Sequence, residues 1–161
     1  MKRLLGPGFG LAPVPRPLAV LLAGLAAAAM IYALLLLQSA SHLAWIIPSF
    51  GASCALVFGV PDSPFARPAS VIGGHLVSSL VGLAAMATIG HGPLAMAVGV
   101  GGAIAAMMVT RTMHPPAGGD PLIVIATAAA PTFLLTPVLV GTIAISLAGF
   151  AFRQLRTRRP G

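Results

Sequence analysis

The sequence predicts an all-α, polytopic transmembrane helix bundle made of two inverted three-segment repeats, each with an interrupted short helix. Three observations predict this class. The 161 residues are 58% hydrophobic and only 7% charged, with a mean hydropathy of +1.01, whereas soluble domains carry about 25% charged residues. Charge-free runs such as residues 17–37 reach the ~20 residues that cross a hydrocarbon core. Two apolar runs are also broken at equivalent places in the two halves.

Six apolar segments follow one another along the chain: residues 17–39, 43–60, 68–89, 93–110, 121–130 and 132–152. The second segment contains Pro48 to Ser53 in its first half. The fifth has only about ten apolar residues, so it must include the polar stretch before it or be re-entrant. We therefore expect a single membrane domain, residues 17–152, between basic cytoplasmic tails at residues 1–16 and 153–161.

The repeats, about residues 17–89 and 93–152, superpose at an offset of 67 positions. Nine identities fall within 35 ungapped positions from Pro48, against roughly three or four expected by chance for this composition. They include Pro48 with Pro115 and Gly51 with Gly118. Interrupted segments at matching positions in two halves are the sequence pattern that marks the central site of a transporter.

Charge distribution predicts the topology. Six crossings place both basic ends, Arg67 and Arg111 on the cytoplasmic side, as the positive-inside rule requires. A four-span arrangement with two re-entrant segments would export both of those arginines, so we prefer six. The basic residues at the ends are Lys2, Arg3, Arg16, Arg153, Arg156, Arg158 and Arg159.

The net charge of +7 could indicate nucleic-acid binding, but the sequence has no basic patch interleaved with aromatic residues, so no nucleic-acid partner is expected. The first apolar segment is too long for a cleaved leader and is expected to be a retained span. Four scattered histidines, one cysteine and two acids have no metal-ligand spacing, and no catalytic motif occurs. The sequence therefore predicts neither an enzyme nor a bound metal or cofactor.

The two breaks are the candidate substrate site. Two short helices starting there would point their N–H groups and positive dipole ends at the centre, which binds an anion without buried Lys or Arg. Ser53 or Asp120 would be the N-cap, with Pro121 as the first helical residue. The alternative is an interfacial loop with rigid turns. The candidate residues are Pro48, Ser49, Gly51, Ala52 and Ser53, and His114, Pro115, Pro116, Ala117, Gly118, Gly119 and Asp120.

Three titratable residues have alternative interpretations. His114 is either a proton acceptor that makes anion entry electroneutral or an interfacial histidine bonded to a carbonyl. His75, near the start of the third segment, is either a second proton-coupling residue or a satisfied core histidine. Asp120 either caps a helix or carries a coupled proton. The glycine pairs, such as Gly73 with Gly74, are interpreted as helix-packing surfaces.

The motifs resemble those of the HPP family of integral membrane proteins. His114-Pro-Pro-Ala-Gly-Gly-Asp-Pro is similar to the family's signature, and Pro48-Ser-Phe-Gly-Ala-Ser, Val60-Pro-Asp-Ser-Pro and Ile72-Gly-Gly-His resemble its first half. The resemblance covers about residues 18–152. It implies a small multi-pass protein, conventionally described with four spans, and some relatives carry CBS regulatory domains, which we do not expect here after Phe152. Plant and cyanobacterial relatives are associated with nitrite transport.

Together these features predict a transporter for a small inorganic anion, nitrite first, in the bacterial inner membrane. The breaks would bind the anion near the bilayer midplane, and His114 or His75 would couple a proton. An anion channel and a non-transporting scaffold or assembly subunit are the alternatives, together with a lipid-modifying enzyme, which the shortage of acids and nucleophiles disfavours. The small size of one protomer predicts a homo-oligomer surrounded by membrane lipid.

Overall fold

The computed structural model describes residues 14–157, and this part of the chain is helical without strands. The predicted all-α helix bundle is thereby confirmed. Lys2, Arg3, Arg158 and Arg159 lie outside the described residues. The α-helices are α1 (Pro17–Ser41), α2 (Ser49–Cys54), α3 (Pro68–Ile89), α4 (Pro93–Val109), α5 (Asp120–Ala126) and α6 (Val140–Thr157).

Three of the four long helices begin at prolines, because the fixed φ of proline suits the first helical turn, where no N–H partner is needed. Pro17, Pro68 and Pro93 start α1, α3 and α4. Gly90 ends α3 at φ 104°, a conformation that side chains disfavour. By length and composition, α1, α3 and the stretch Pro131–Arg156 can each cross a membrane.

The two interrupted segments share one design, a non-helical half followed by a short helix. Residues 42–48 are non-helical, and α2 then continues as a π-helical turn to Gly59. Residues 112–114 are non-helical, and the 3-10 turn Pro115–Gly119 leads into α5. The helical halves of 11 and 12 residues reach only about 16–18 Å, about half of a hydrocarbon core.

The predicted N-caps are wrong. Pro48 occupies the N-cap of α2, so Ser53 lies inside that helix. Asp120 follows a helical turn whose first residue is Pro115, and its side chain makes no capping bond to α5. Both side chains instead bond to buried polar groups described below, so their oxygens are not available to cap a helix.

The last segment is also broken. The 3-10 turn Pro131–Leu134 and the π-helical turn Leu135–Leu139 precede α6, and Thr136 has the extended dihedrals φ −128° and ψ 123°. Helix α6 then continues beyond Phe152 to Thr157, which makes Arg153 and Arg156 helical. The break at Thr136 interrupts the segment of residues 132–152, which composition alone predicted to be continuous.

Glycines on α3 let the second interrupted segment approach closely. A Cβ on Gly74 would lie 2.6 Å from Cβ of His114, and one on Gly82 would lie 2.8 Å from Cα of Pro121 and 3.3 Å from Cβ of Val124. Near the other end of α3, the His91 Nδ1 is 3.4 Å from the Ile125 carbonyl oxygen. The segment therefore runs beside α3 along most of its length. The packing role predicted for the Gly73–Gly74 pair is confirmed, because a Cβ on Gly73 would likewise lie 2.6 Å from the Thr112 side chain.

Glycines on α6 do the same for the first interrupted segment. A side chain on Gly141 would collide with the Phe50 ring, and one on Gly149 with Val57. Gly141 and Gly149 lie 67 positions after Gly74 and Gly82, and Val124 lies 67 after Val57. One contact therefore recurs at the offset, that of Gly82 with Val124 and of Gly149 with Val57, whereas Gly74 and Gly141 contact residues that the offset does not match.

The hydrophobic core surrounds the first interrupted segment, which α1, α3 and α6 enclose. Its fully buried members include Leu34, Phe50, Val71, Val138 and Ile145. The loop after Gly59 lies beside the end of α6, where Arg153 donates to the Pro61 carbonyl at 3.5 Å and Arg156 pairs with Asp62 at 3.6 Å. The first interrupted segment therefore ends at the same end of the bundle as α6.

Candidate functional site

Four polar side chains meet in the interior, and each comes from a different part of the chain. Ser53 on α2, His75 on α3, His114 before the 3-10 turn and Asp120 at the start of α5 are all 0% exposed. Ionisable groups buried inside a membrane protein are rare and mark solute or proton pathways by default. We call these four residues the polar cluster.

One face of α3 lies against the polar cluster. His75, Ser78, Ser79 and Gly82 are spaced i, i+3, i+4 and i+7, which places them on one face. Ser78 and Ser79 are fully buried. The absence of a side chain at Gly74 admits His114 beside this face.

Asp120 is held by three hydrogen-bond partners. Its Oδ2 lies 2.6 Å from Nδ1 of His75 and accepts from the Ser79 hydroxyl at 3.1 Å. Its Oδ1 accepts from the Ser49 hydroxyl at 2.7 Å. A buried carboxyl group requires such partners because its desolvation is otherwise uncompensated. Asp120 therefore joins the start of α2 to the middle of α3.

Ser53 connects the two imidazoles. Its Oγ lies 2.8 Å from Nε2 of His75 and 2.9 Å from Nε2 of His114. The same Oγ is 3.1 Å from the Ser49 carbonyl oxygen, one helical turn earlier. One hydroxyl proton thus has three potential acceptors, two of which are ring nitrogens.

His114 lies at the other side of the cluster. Its Nδ1 is 2.8 Å from the carbonyl oxygen of Phe65, in the 3-10 turn Pro64–Ala66. The ring centroids of His114 and His75 are 5.1 Å apart, and the Phe50 ring meets His75 edge-on at 5.4 Å. His114 does bond to a carbonyl, but in the buried interior and next to a second histidine rather than in an exposed loop.

The remaining predicted site residues divide by exposure. Pro48, Gly51, Ala52 and Pro115 are exposed, and Pro116, Gly118 and Gly119 are half-buried. Ser49 is 8% exposed, and Ala117 is buried with its carbonyl accepting from Ser78 at 2.6 Å. A Cβ at Gly51, Gly118 or Gly119 would meet nothing within 4 Å, in contrast to the packing glycines.

Sequence reasoning missed three contributors: the hydroxyls of Ser78 and Ser79 and the Phe65 carbonyl. The serines had a signal, because they share a helical face with His75. The Phe65 carbonyl had none, since any backbone carbonyl can accept and only tertiary contact selects one.

A cavity of about 460 Å³ opens next to the start of α2. Pro48, Ile123 and Phe133 line its apolar part, and the threonines Thr127, Thr132 and Thr136 are also on its wall. Pro48 immediately precedes Ser49, whose hydroxyl bonds to Asp120. The cavity therefore lies on the α2 side of the polar cluster.

Comparison with known proteins agrees with this architecture. The family described as HPP, transmembrane region, matches residues 12–160. Two transmembrane proteins of Dictyostelium discoideum are 39% identical over 88 residues and 40% identical over 82, or 52% and 48% of this chain. The aligned region spans only 28% and 29% of their lengths. No solved structure matches significantly. The chain belongs to the HPP transmembrane-region family and is an integral membrane protein.

Proposed function

We propose that the protein transports a small inorganic anion across the bacterial inner membrane together with a proton. One observation carries the proposal: two imidazoles, a carboxyl group and a serine are fully buried where two interrupted segments meet. Structural helices in a membrane do not need such a cluster, because buried ionisable groups are costly there. Coupled transport needs titratable groups beside the solute.

The anion would bind beside the cluster rather than inside its hydrogen bonds. Gly51, Gly118 and Gly119 have open space next to their α-carbons, so a small ligand can approach the backbone at the two breaks. The helix starts at Ser49 and Pro115 would contribute positive dipole ends, and a protonated imidazole would contribute a full charge. Because each helix is short, we assign the larger attraction to the imidazole.

The packing supports six crossings and an inverted second repeat. Each interrupted segment would cross with its non-helical and helical halves together, as in discontinuous transporter helices. The contact of Gly82 with Val124, which recurs at the offset of 67 positions as that of Gly149 with Val57, supports the repeat. Both termini, with Arg67 and Arg111, would then be cytoplasmic. Lipid or a second copy would cover α1, in which Leu34 is the one buried residue.

Nitrite is the first candidate because plant and cyanobacterial members of the HPP family are associated with nitrite transport. The names of the Dictyostelium proteins indicate only that they are transmembrane proteins. The residues themselves favour a small anion with no further selectivity. A channel could use the same site. Net uptake of the anion against its concentration gradient distinguishes a proton-coupled transporter from a channel.

A second candidate activity arises from the same atoms. Ser53, His75 and Asp120 are connected as in the triad of a serine hydrolase. The Ser53 Oγ lies 2.8 Å from His75 Nε2, and His75 Nδ1 lies 2.6 Å from Asp120 Oδ2. We favour proton handling over acyl transfer because Ser53 is fully buried and its hydroxyl is also within bonding distance of His114. A nucleophile needs an open approach, so we propose that the protein is not an enzyme.

The test is nitrite uptake into proteoliposomes with and without a pH gradient. Wild type is expected to accumulate nitrite when the gradient drives protons in the same direction. His114→Ala is expected to lose accumulation, and Gly118→Leu to lose uptake altogether because it fills the open space at the second break. Gly101→Leu is the matched control, since it also has nothing within 4 Å but lies on α4 away from the breaks.

The outcomes separate the alternatives. Wild-type uptake that both Gly118→Leu and His114→Ala leave unchanged would remove the breaks from the site. Uptake that saturates without accumulating against a gradient would favour a channel. No movement of anion by correctly inserted wild type would favour the scaffold or assembly subunit.

A further inference from the structure

The polar cluster belongs to a continuous row of hydrogen bonds that is longer than the cluster itself. The row begins at the Ser49 hydroxyl and ends at the Phe65 carbonyl. Its five successive distances are 2.7 Å (Ser49 to Asp120), 2.6 Å (Asp120 to His75), 2.8 Å (His75 to Ser53), 2.9 Å (Ser53 to His114) and 2.8 Å (His114 to Phe65).

The acceptor at one end determines the tautomer of His114. A carbonyl oxygen only accepts, so His114 Nδ1 must carry a proton toward Phe65. If the ring is neutral, its Nε2 is an acceptor, and the nearest donor is the Ser53 hydroxyl at 2.9 Å. The Ser53 oxygen can then accept from a proton on His75 Nε2, at 2.8 Å.

In this first arrangement, Asp120 at the other end of the row also shares a proton with His75. Asp120 already accepts from Ser49 and Ser79, and its Oδ2 is 2.6 Å from His75 Nδ1. When His75 carries a proton on Nε2 toward Ser53, a second proton lies between Nδ1 and the carboxylate. The His75–Asp120 pair then holds one proton more than a neutral histidine beside an ionised aspartate.

A second arrangement satisfies the same five bonds of the row; in both arrangements the Ser53 hydroxyl donates to a ring nitrogen and not to the Ser49 carbonyl oxygen at 3.1 Å. The Ser53 hydroxyl donates to His75 Nε2, His75 keeps its proton on Nδ1 toward Asp120, and His114 Nε2 donates to Ser53. Both arrangements place three protons on the two rings. They differ in which ring is the imidazolium and in the direction of one hydroxyl.

We propose that the Ser53 hydroxyl is a two-way proton relay, passing one surplus proton between His75 and His114. In this step the His75 Nε2–H bond breaks as that proton binds the Ser53 oxygen. The original Ser53 O–H bond breaks as its proton binds His114 Nε2. No electrons are transferred, and one positive charge moves from one ring to the other, whose centroids are 5.1 Å apart.

The relay rests on the proposed function and extends it to the route of the coupled proton. The Ser49 end lies next to the 460 Å³ cavity through Pro48. The His114 end lies against the turn at Phe65, in the loop whose Pro61 and Asp62 contact the end of α6. The surplus charge therefore moves between a side facing the cavity and a side facing that loop. Ser53 is a positioning and relay residue between the two titratable groups.

The decisive variant is Ser53→Ala, which removes the bridging hydroxyl and retains a helix-forming residue inside α2. Ser146→Ala is the matched control, because the Ser146 hydroxyl is buried on α6 with no hydrogen-bond partner among the residues that the structure describes. Proteoliposomes are assayed in two modes with labelled nitrite. With equal nitrite concentrations on both sides of the membrane, the movement of labelled nitrite measures exchange, which needs no net proton movement. With an imposed pH gradient, it measures proton-driven accumulation.

Ser53→Ala is expected to lower proton-driven uptake on the order of 100-fold, the lower range for a positioned proton-transfer group, and to lower exchange far less. Ser146→Ala should match wild type in both modes. Ser53→Cys, which keeps nearly the same volume but replaces the hydroxyl by a weakly bonding thiol, is expected to repeat the loss of proton-driven uptake and supplies the test if Ser53→Ala does not fold. Equal loss of both modes, or loss of neither, overturns the relay.

A second measurement separates the relay from the transport proposal. The ring nitrogens of labelled histidines are observed by nuclear magnetic resonance in lipid nanodiscs. Ser53→Ala is expected to shift the Nε2 signals of both His75 and His114, and Ser146→Ala neither. Shifts at one ring or at none overturn the relay even if nitrite is transported. Shifts at both rings in a protein that moves no nitrite would support the relay while the transport proposal fails.

Discussion

Removal of the Asp120 carboxyl group is predicted to destabilise the folded protein strongly. Asp120→Ala leaves the hydroxyls of Ser49 and Ser79 without their acceptor and His75 without its charged partner. Side-chain hydrogen bonds inside membrane proteins contribute about 0.6 kcal/mol each, and a buried charge left unpaired costs about 3 kcal/mol. The free energy of unfolding should therefore fall by about 4 kcal/mol.

Reversible unfolding in mixed detergent micelles measures this loss. Asp62→Ala is the matched control, because its carboxyl group is 86% exposed and pairs with Arg156 at 3.6 Å. Exposed ion pairs contribute less than about 1 kcal/mol. Asp120→Asn keeps the shape and one acceptor, so its loss should lie between the two. If Asp120→Ala lowers the free energy of unfolding no more than Asp62→Ala, the three contacts do not stabilise the fold.

Two further predictions follow from the packing and the burial of the site. Gly149→Leu should lower the yield of folded protein and its thermal midpoint, because any side chain there collides with Val57 and overpacking costs about 1–3 kcal/mol. Gly101→Leu should change neither quantity. Equal behaviour of the two variants would contradict the close contact between α6 and the first interrupted segment. A fluorophosphonate probe should leave Ser53 unlabelled in folded protein, because this serine is fully buried. Mass spectrometry measures the labelling, and stoichiometric labelling would instead support the acyl-transfer activity.

The helical segments were largely predictable. Pro68–Ile89 has the predicted bounds, and Pro93–Val109 differs from its prediction by one residue. Both are long apolar runs that begin at a proline, so local composition alone defines them. The final segment was predicted less well. Its break at Thr136 lies within an apolar run, and hydropathy does not report such breaks.

The breaks themselves were predictable, but the roles of their side chains were not. Pro48 and the glycines after it interrupt an apolar run, and the same pattern returns 67 positions later. Assigning Ser53 and Asp120 as helix caps followed from their local positions. In the structure their oxygens bond to side chains 22 to 71 positions away, in addition to the local bond from Ser53 to the Ser49 carbonyl. Local rules consider only near neighbours and do not include such partners.

By itself, the sequence determined that this is a helical membrane protein with two interrupted segments and a small set of ionisable residues. These properties depend on composition and on spacings of a few residues, which the chain displays directly. Only the tertiary structure decided that His75, His114, Asp120 and Ser53 form one hydrogen-bonded row. That proximity depends on how closely the helices approach, which Gly74 permits by making room for His114 beside α3. Burial then makes each polar contact obligatory, because no water is available to replace it.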